Sequence, residues 1–244
     1  MTDSLIKDLD KLKNSKKAKI LSGFFKTGKG EYGEGDIFLG ITVPDQRKIA
    51  EKYEELKLGE VQKLLKSKIH EHRLMALMIL VEKYESLDSC LRRNDRKGVL
   101  VEIEKSKLVD FYIKNTKYIN NWDLVDCSAY FILGDYLFDK EKDVLYNLAK
   151  SENLWERRIA IISTLGFIRR NNFTETLKIC EILLNDDHDL IHKACGWMLR
   201  EVGKRDLRAE LRFLKKFYKK MPRTMLRYAI EKFSKVERQR YLKK

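Results

Sequence analysis

Residues 157–162 read Arg-Arg-Ile-Ala-Ile-Ile, a polar pair followed by an alanine within a short apolar run, and this pattern is the strongest indication of the fold. The pattern occurs in five segments, which are residues 72–80, 126–133, 157–162, 191–197 and 225–230. Its alanines are Ala76, Ala129, Ala160, Ala194 and Ala229. The last three intervals are 31, 34 and 35 residues, which is typical of a two-helix repeat. The first interval is 53 residues, which predicts an insertion around 87–100 with a polar loop at 92–98.

Residues that break helices are rare outside one segment. The 244 residues include two prolines and 12 glycines, and six of the glycines lie in the stretch 23–40. This composition favours an all-helical protein. Stacked helix pairs form a curved solenoid with equivalent helices along one concave wall. We therefore expect an all-α solenoid in one domain over residues 1–244, with a glycine-rich loop at 23–40.

The charge of the chain points to a polyanionic partner. Lysine and arginine total 51 against 37 acidic residues, a net charge of +14, which suits nucleic acid or an anionic membrane surface. Residues 200–244 contain 17 of the basic residues and five acidic ones, so we expect strongly basic C-terminal repeats. We predict that their basic surface covers a core face formed by Leu207, Leu211, Leu214, Phe217 and Tyr218.

The hydropathy pattern does not favour a membrane-spanning or a secreted protein. The mean hydropathy is −0.47, and no apolar run has transmembrane length. The N-terminal residues lack a basic region followed by an apolar stretch, so we expect a cytoplasmic protein. The four cysteines include no C-x-x-C pair, and we interpret them as reduced core thiols; a disulfide or zinc set is the less favoured alternative.

Residues just before the repeat alanines would lie in register on the concave wall. They are His72 and Arg73, Asp126, Arg157 and Arg158, His192 and Lys193, and Arg227. One carboxylate in a row of basic residues is the arrangement expected when the basic residues bind a polyanion and the carboxylate acts at a single reaction site. The alternative is that these are solvated polar residues at helix starts.

Each of the three tryptophans lies near one of these positions. Trp122 is four residues before Asp126, so a helix would place both side chains on one face. Trp155 precedes Arg158 by three residues, and Trp197 follows Lys193 by four. The alternative for each tryptophan is a partly buried anchor with a bonded indole N–H.

Three segments containing these tryptophans carry a family resemblance. Residues 121–126 read Asn-Trp-Asp-Leu-Val-Asp, residues 154–161 read Leu-Trp-Glu-Arg-Arg-Ile-Ala-Ile, and residues 196–201 read Gly-Trp-Met-Leu-Arg-Glu. Together with residues 38–44 and 221–229, they resemble the AlkD-like DNA glycosylases built from HEAT-like helical repeats. The resemblance covers about residues 20–235. It implies an all-α HEAT-like solenoid with a concave basic DNA-binding face.

The resemblance also implies roles for individual residues. Asp126 matches the catalytic aspartate of the family, and Trp122 and Trp197 match the aromatic residues packed beside the lesion. Arg158 matches an arginine near the DNA backbone, and Tyr32 is a candidate for the family's N-terminal tyrosine. The candidate catalytic residues are thus Asp126 and Trp122. The candidate DNA-binding residues are Trp197, Arg158, Trp155, Arg157, Lys193, Arg200, Arg227 and Tyr32.

The implied activity is hydrolysis of the N-glycosidic bond of cationic N3- or N7-alkylated purines in double-stranded DNA. Such a base is already a good leaving group, so the carboxylate of Asp126 would stabilise the sugar as C1′ gains oxocarbenium character. We expect a monomeric, monofunctional hydrolase of base excision repair without metal or organic cofactor. The alternative is a non-catalytic HEAT-like scaffold that binds DNA or protein.

Two weaker signals concern other ligands. His188 and His192 are four residues apart and could ligate a metal, although helix capping or phosphate contact is favoured. The segment 28–35 contains four glycines and could suggest a phosphate loop, but it lacks the G-K-[ST] signature. We favour an ordered surface turn there.

Overall fold

The computed structural model describes residues 1–91 and 98–243, with side chains for all of them except 88–91. These residues are predominantly helical, and the β-type pairing among them is one isolated bridge between Ile37 and Ile69. The helices are α1 (Thr2–Asp10), α2 (Ser15–Phe24), α3 (Val43–Lys52), α4 (Leu58–Leu65), α5 (His70–Leu91), α6 (Gly98–Lys114), α7 (Trp122–Asp126), α8 (Ala129–Tyr136), α9 (Asp143–Ala149), α10 (Leu154–Ser163), α11 (Leu165–Arg169), α12 (Thr174–Ile182), α13 (Asp189–Gly203), α14 (Leu207–Phe217), α15 (Arg223–Ala229) and α16 (Lys235–Leu242). Short 3₁₀ segments span Thr116–Tyr118, Leu183–Asn185 and Ile230–Lys232. The predicted all-α class is confirmed, and the helices pack in a repeat-like arrangement.

The five repeat alanines all lie in helices, and all are buried. One segment differs from the prediction, because Asp126 does not open the helix that contains Ala129. Instead Asp126 is the last residue of α7, and a turn at Cys127 and Ser128 separates it from α8. Ser128 favours this break, since its hydroxyl donates to the carbonyl of Leu124 at 2.6 Å.

The chain divides into two compact units, Met1–Ile132 and Leu133–Lys244. In the first unit, α5 is the central helix, and α3, α4, α6 and α7 pack against it. Residues 74–81 of α5 are buried around the whole helix circumference, as expected for a helix surrounded by others. The first residues of α5 therefore occupy a fixed position next to α7.

The segment that precedes α3 is attached to α5 by one carboxylate. Glu71 is 1% exposed and accepts hydrogen bonds from the backbone N–H groups of Leu39, Gly40 and Ile41, at 2.9, 2.8 and 3.3 Å. Gly40 has φ +83°, and a Cβ there would lie 2.2 Å from the carbonyl oxygen of Asn14. The chain therefore needs glycine at this position to bring residues 38–41 against α2 and α5.

In the second unit, α13 packs against α10, α14 and α15. Contact between α13 and α15 is close because Gly196 has no side chain. A Cβ on Gly196 would lie 2.5 Å from both the carbonyl oxygen of Met225 and the Cβ of Tyr228. The helices that carry three successive repeat alanines are thus neighbours within this unit.

One detail of the sequence prediction is corrected by α14, and another lies mostly outside the described residues. Leu207 and Leu211 of α14 are exposed, and the buried residues are Ala209, Glu210, Phe213, Leu214 and Phe217. The buried stripe is therefore rotated from the one predicted and includes a carboxyl group. In the predicted insertion at 87–100, α5 continues to Leu91 and α6 begins at Gly98, while residues 92–97 lie outside the described residues.

None of the helices in the described part of the chain is both long enough and apolar enough to cross a membrane. Cys180 and Cys195 are free and buried, as expected of core thiols, whereas Cys127 is free but half-buried. The side chain of Cys90 lies outside the described residues.

Candidate functional site

The short helix α7 carries the two candidate catalytic residues at its ends. Asn121 caps its first turn by accepting a hydrogen bond from the backbone N–H of Trp122 at 2.8 Å. Trp122 and Asp126 are both half-buried and lie one helical turn apart. Solvent can therefore reach a carboxylate and an indole ring on the same short helix.

A hydrogen bond from α6 fixes the turn that follows Asp126. The hydroxyl groups of Tyr112 and Ser128 are 3.0 Å apart, and both residues are buried. Burial raises the pKa of Tyr112, and the nearby negative charge of Asp126 adds to this effect, against the hydrogen bond with Ser128. Tyr112 thus remains a neutral phenol that holds the turn beside Asp126.

A column of stacked rings supports Trp122. Its ring stacks on Phe25 with a centroid distance of 5.1 Å and an interplanar angle of 15°. Phe25 stacks on Phe38 at 5.0 Å, and Phe38 stacks on the imidazole of His70 at 4.5 Å. The indole of Trp122 is therefore the outer member of a column that ends at the first residue of α5.

His70 lies between two carboxylates. Its Nδ1 atom is 3.2 Å from Asp36, and its Nε2 atom is 2.7 Å from Asp123 of α7. Asp36 is also 2.6 Å from the guanidinium of Arg73. Burial alone would lower the pKa of His70, but the charge and hydrogen bonds of Asp123 and Asp36 outweigh burial and raise the pKa to about 9. At neutral pH His70 is therefore a buried cation that ties α7 to α5.

Sequence reasoning missed Phe24 and Phe25, which end and follow α2. The ring of Phe24 meets Trp122 edge-on at 5.8 Å, and Phe24 is 62% exposed. An exposed phenylalanine edge-on to a half-buried tryptophan makes an aromatic surface that a flat ligand can contact. The sequence feature that could have indicated these two residues is the Phe-Phe pair within the glycine-rich stretch. Tyr32, the residue expected there, is half-buried, and the ammonium of Lys26 lies 6.0 Å from its ring centroid.

The first unit contains a cavity of about 330 Å³, and the rings of Phe24, Phe25 and Phe38 form part of its wall. Its lining is mainly apolar and includes Ile20, Phe24, Phe25, Phe38 and Gln46. The side-chain carbonyl oxygen of Gln46 is buried and has no hydrogen-bond partner within the described residues.

In the second unit, four of the predicted DNA-binding residues have partly accessible side chains. The indole N–H of Trp197 donates to Glu201 at 3.1 Å, and the ring is half-buried. Lys193 pairs with Asp189 at 2.7 Å, and Arg200 pairs with Glu231. Arg227 is exposed and makes no ion pair with any described residue. These side chains lie on α13 and α15, which are adjacent.

Three other predicted DNA-binding residues, Trp155, Arg157 and Arg158, lie on α10 in the second unit. Trp155 is 8% exposed, which fits the core-anchor alternative better than DNA contact. Arg158 is 5% exposed and donates to the carbonyl of Leu190 at 2.7 Å, so its guanidinium links α10 to α13. Arg157 bonds to Asp186 at 2.6 Å and to two backbone carbonyls. Trp155 and Arg158 are buried and Arg157 is half-buried, and the DNA contacts expected of these three residues stay predictions.

The histidine pair and the glycine-rich segment 28–35 both have local structural roles. His188 caps α13 by accepting a hydrogen bond from the backbone N–H of Leu190 at 3.1 Å, as the capping alternative predicted. In the glycine-rich segment, the carboxylates of Glu31 and Glu34 accept the N–H groups of Gly28 and Gly30 at 2.8 and 2.7 Å. The surface-turn interpretation is thus confirmed. Within the described residues, no group of three or more His, Cys, Asp or Glu side chains is arranged to hold a metal ion.

Comparison with known proteins identifies the family. The family model described as "DNA alkylation repair enzyme" matches residues 5–233. This chain belongs to that family. A solved structure described as "Predicted DNA alkylation repair enzyme from Enterococcus faecalis" superposes with a TM-score of 0.64 at 17% identity, covering 91% of this chain and 97% of that chain. At that identity the likeness shows a shared fold alone. No protein of curated function matches this family member significantly in sequence.

The family match confirms the resemblance drawn from the tryptophan segments. All of those segments lie within the matched residues. Of the residues that carried the resemblance, Trp122, Asp126 and Trp197 are half-buried, whereas Trp155 and Arg158 are buried.

Proposed function

We propose that this family member is a DNA glycosylase that hydrolyses the N-glycosidic bond of cationic N3- or N7-alkylated purines in double-stranded DNA. The pair formed by Trp122 and Asp126 is the main support for this activity. The pair lies on a helix held by a buried ion pair and a stack of rings, yet both side chains remain accessible.

The chemistry needs few groups because the substrate supplies the leaving-group charge. An alkylated purine that already carries a positive charge leaves as a neutral base, so no general acid has to protonate it. The barrier then lies in the sugar, where C1′ gains oxocarbenium character as the bond breaks. The carboxylate of Asp126 stabilises that charge and orients the attacking water. The reaction requires no metal ion or organic cofactor.

The rings of Trp122 and Phe24 bind the alkylated nucleotide in this proposal. The face of Trp122 attracts the cationic base or the developing sugar cation by cation–π contact. Phe24, exposed and edge-on to Trp122, widens the aromatic surface on which the alkylated nucleotide rests. Tyr32 is a second candidate for this contact.

DNA is held mainly through its phosphates in this proposal. Lys193, Trp197, Arg200 and Arg227 of α13 and α15 are the contacts that the structure leaves partly accessible. Backbone contacts of this kind hold a duplex without reading its sequence, and their affinity falls steeply with salt. We propose that the protein acts as a HEAT-like monomer in the cytoplasm.

Release of free base from methylated duplex DNA tests the proposal. Duplex containing 7-methylguanine or 3-methyladenine is incubated with the protein, and free base is quantified against the same duplex without protein. We expect release well above spontaneous depurination. A protein that binds the duplex but leaves the release rate at the spontaneous value would be the non-catalytic scaffold instead.

A further inference from the structure

A second nucleic-acid site is suggested by a cleft between α14 and α16. The cleft has a volume of about 470 Å³, and its lining includes Lys215, Tyr218, Phe233, Arg240 and Tyr241. None of these residues belongs to the tryptophan and aspartate pair or to the basic positions of α13 and α15. The cleft therefore plays no part in the reaction proposed above.

Three aromatic rings form the apolar part of this cleft. Tyr218 and Tyr241 meet edge-to-face with their ring centroids 5.4 Å apart, and Phe233 meets Tyr241 at 5.9 Å. All three rings are half-buried, so each leaves part of its surface open to a ligand. Rings held by one another in this way lose little conformational freedom when a flat group stacks on them.

The charged part of the cleft consists of two cations and one carboxylate. Lys215 and Arg240 are exposed, and neither forms an ion pair with a described residue. By contrast, the neighbouring Lys216 is paired with Glu181 at 3.1 Å. The one carboxylate of the lining, Glu237, is the capping-box partner of Ser234; hydrogen bonds from Ser234 and the charge of Arg240 lower its pKa, so it stays negatively charged. The cleft thus presents two cations and one carboxylate, a net positive charge, beside three rings.

We propose that this cleft binds single-stranded nucleic acid. A base stacks on the rings of Tyr218 and Tyr241, while Lys215 and Arg240 contact the flanking phosphates. Interleaved aromatic and basic side chains are the usual means of binding single strands without sequence preference. A paired base is stacked inside its duplex and cannot enter such a cleft, so the cleft prefers unpaired strands over duplex.

Fluorescence anisotropy with a labelled 12-mer of thymidine, dT12, tests the stacking. The wild-type protein binds dT12, and Tyr218→Ala/Tyr241→Ala weakens binding by about tenfold or more, since each stacked base contributes substantially. Tyr218→Phe/Tyr241→Phe retains binding because the rings remain. Equal affinity of the alanine and wild-type proteins, or failure of the wild-type protein to bind dT12, would overturn the proposal.

If the double alanine variant is unstable, base stacking can be tested by comparing two ligands of the wild-type protein. An abasic 12-mer has the same phosphates as dT12 but no bases, so the wild-type protein should bind it about tenfold more weakly than dT12. Equal binding of the two strands would mean that charge alone accounts for the affinity, which contradicts stacking in the cleft.

Two charge-reversal variants, one inside the cleft and one outside it, test where the phosphates bind. Lys215→Glu should weaken dT12 binding, whereas Lys150→Glu, an exposed lysine of the same unit outside the cleft, should change it little. Equal losses in the two variants would contradict the location. Asp126→Asn should leave dT12 binding intact, so the cleft and the proposed glycosylase site fail or succeed separately.

Discussion

The Nε2 atom of His70 lies 2.7 Å from a carboxylate oxygen of Asp123, and this contact joins the first residue of α5 to α7. Both side chains are buried. On the other side of the imidazole, Asp36 is 3.2 Å from Nδ1 and is also paired with Arg73. A chain of alternating charges thus fixes the helix that carries Trp122 and Asp126.

His70→Gln tests whether this ion pair positions the helix. Removing one partner of a buried pair leaves the other charge uncompensated and typically costs about 3–5 kcal/mol of unfolding free energy. We expect a large loss of thermal stability at pH 6 and slower base release per folded molecule. Unchanged stability would mean that His70 and Asp123 are not an ion pair in the folded protein.

The pH dependence of this loss has a defined sign. The folded pKa of His70, about 9, lies above its ordinary value of 6.5, so its contribution is full below pH 6.5 and declines as pH rises through 9. Asp36, Asp123 and Arg73 are the charged groups around it. The stability difference between wild-type protein and His70→Gln should therefore shrink between pH 6.5 and 9.5, measured by urea unfolding. A difference that stays constant over that range would contradict a cationic His70.

Glu210→Gln should stabilise the protein at alkaline pH. Burial raises the pKa of Glu210 to about 8 although Arg200 acts to lower it, and one carboxyl oxygen has no partner within the described residues. Because its folded pKa is raised, wild-type stability declines as pH rises from about 4.5 to 8, and glutamine removes that decline. The variant should unfold at higher urea concentration than wild type at pH 8 and at the same concentration near pH 4.5. Equal midpoints at both pH values would contradict a buried, protonated Glu210.

The helical architecture follows from local sequence. The alanine pattern and the rarity of proline and glycine predict an all-helical repeat, and the five alanines are buried in helices as expected. The spacing of Trp122 and Asp126 likewise predicts one turn of helix, and α7 is that turn. These features depend on neighbours within a few residues, which is why sequence alone reveals them.

The support of the candidate site depends on contacts between distant residues. His70 is 53 residues from Asp123 and 34 from Asp36, and no local pattern indicates that they meet. The same holds for Arg158, whose basic position in the repeat suggested DNA but whose partner is a carbonyl 32 residues away. A basic residue before an apolar helix is compatible with either role, and only packing distinguishes them.

Gly40→Ala should destabilise the first unit strongly. An alanine there would adopt a positive φ of +83° and place its Cβ 2.2 Å from the carbonyl oxygen of Asn14. Gly59→Ala is the matched control, because no atom lies within 4 Å of the Cβ that alanine would add there and α4 gains helix propensity. Thermal unfolding should show a large decrease for Gly40→Ala and no decrease for Gly59→Ala. Similar small effects in both variants would contradict the tight packing of residues 38–41 on α2.

If the carboxylate of Asp126 promotes loss of the alkylated base, Asp126→Asn should release 7-methylguanine from duplex DNA slowly under single-turnover conditions. Asparagine retains size and some hydrogen bonding but removes the negative charge that faces the developing oxocarbenium ion. Asp110→Asn, an exposed carboxylate on α6, controls for the change in net charge. After subtraction of spontaneous depurination, we expect Asp126→Asn to release base about 10²-fold more slowly than wild type while still binding the duplex. Release at the wild-type rate would mean that the carboxylate of Asp126 does not promote base loss.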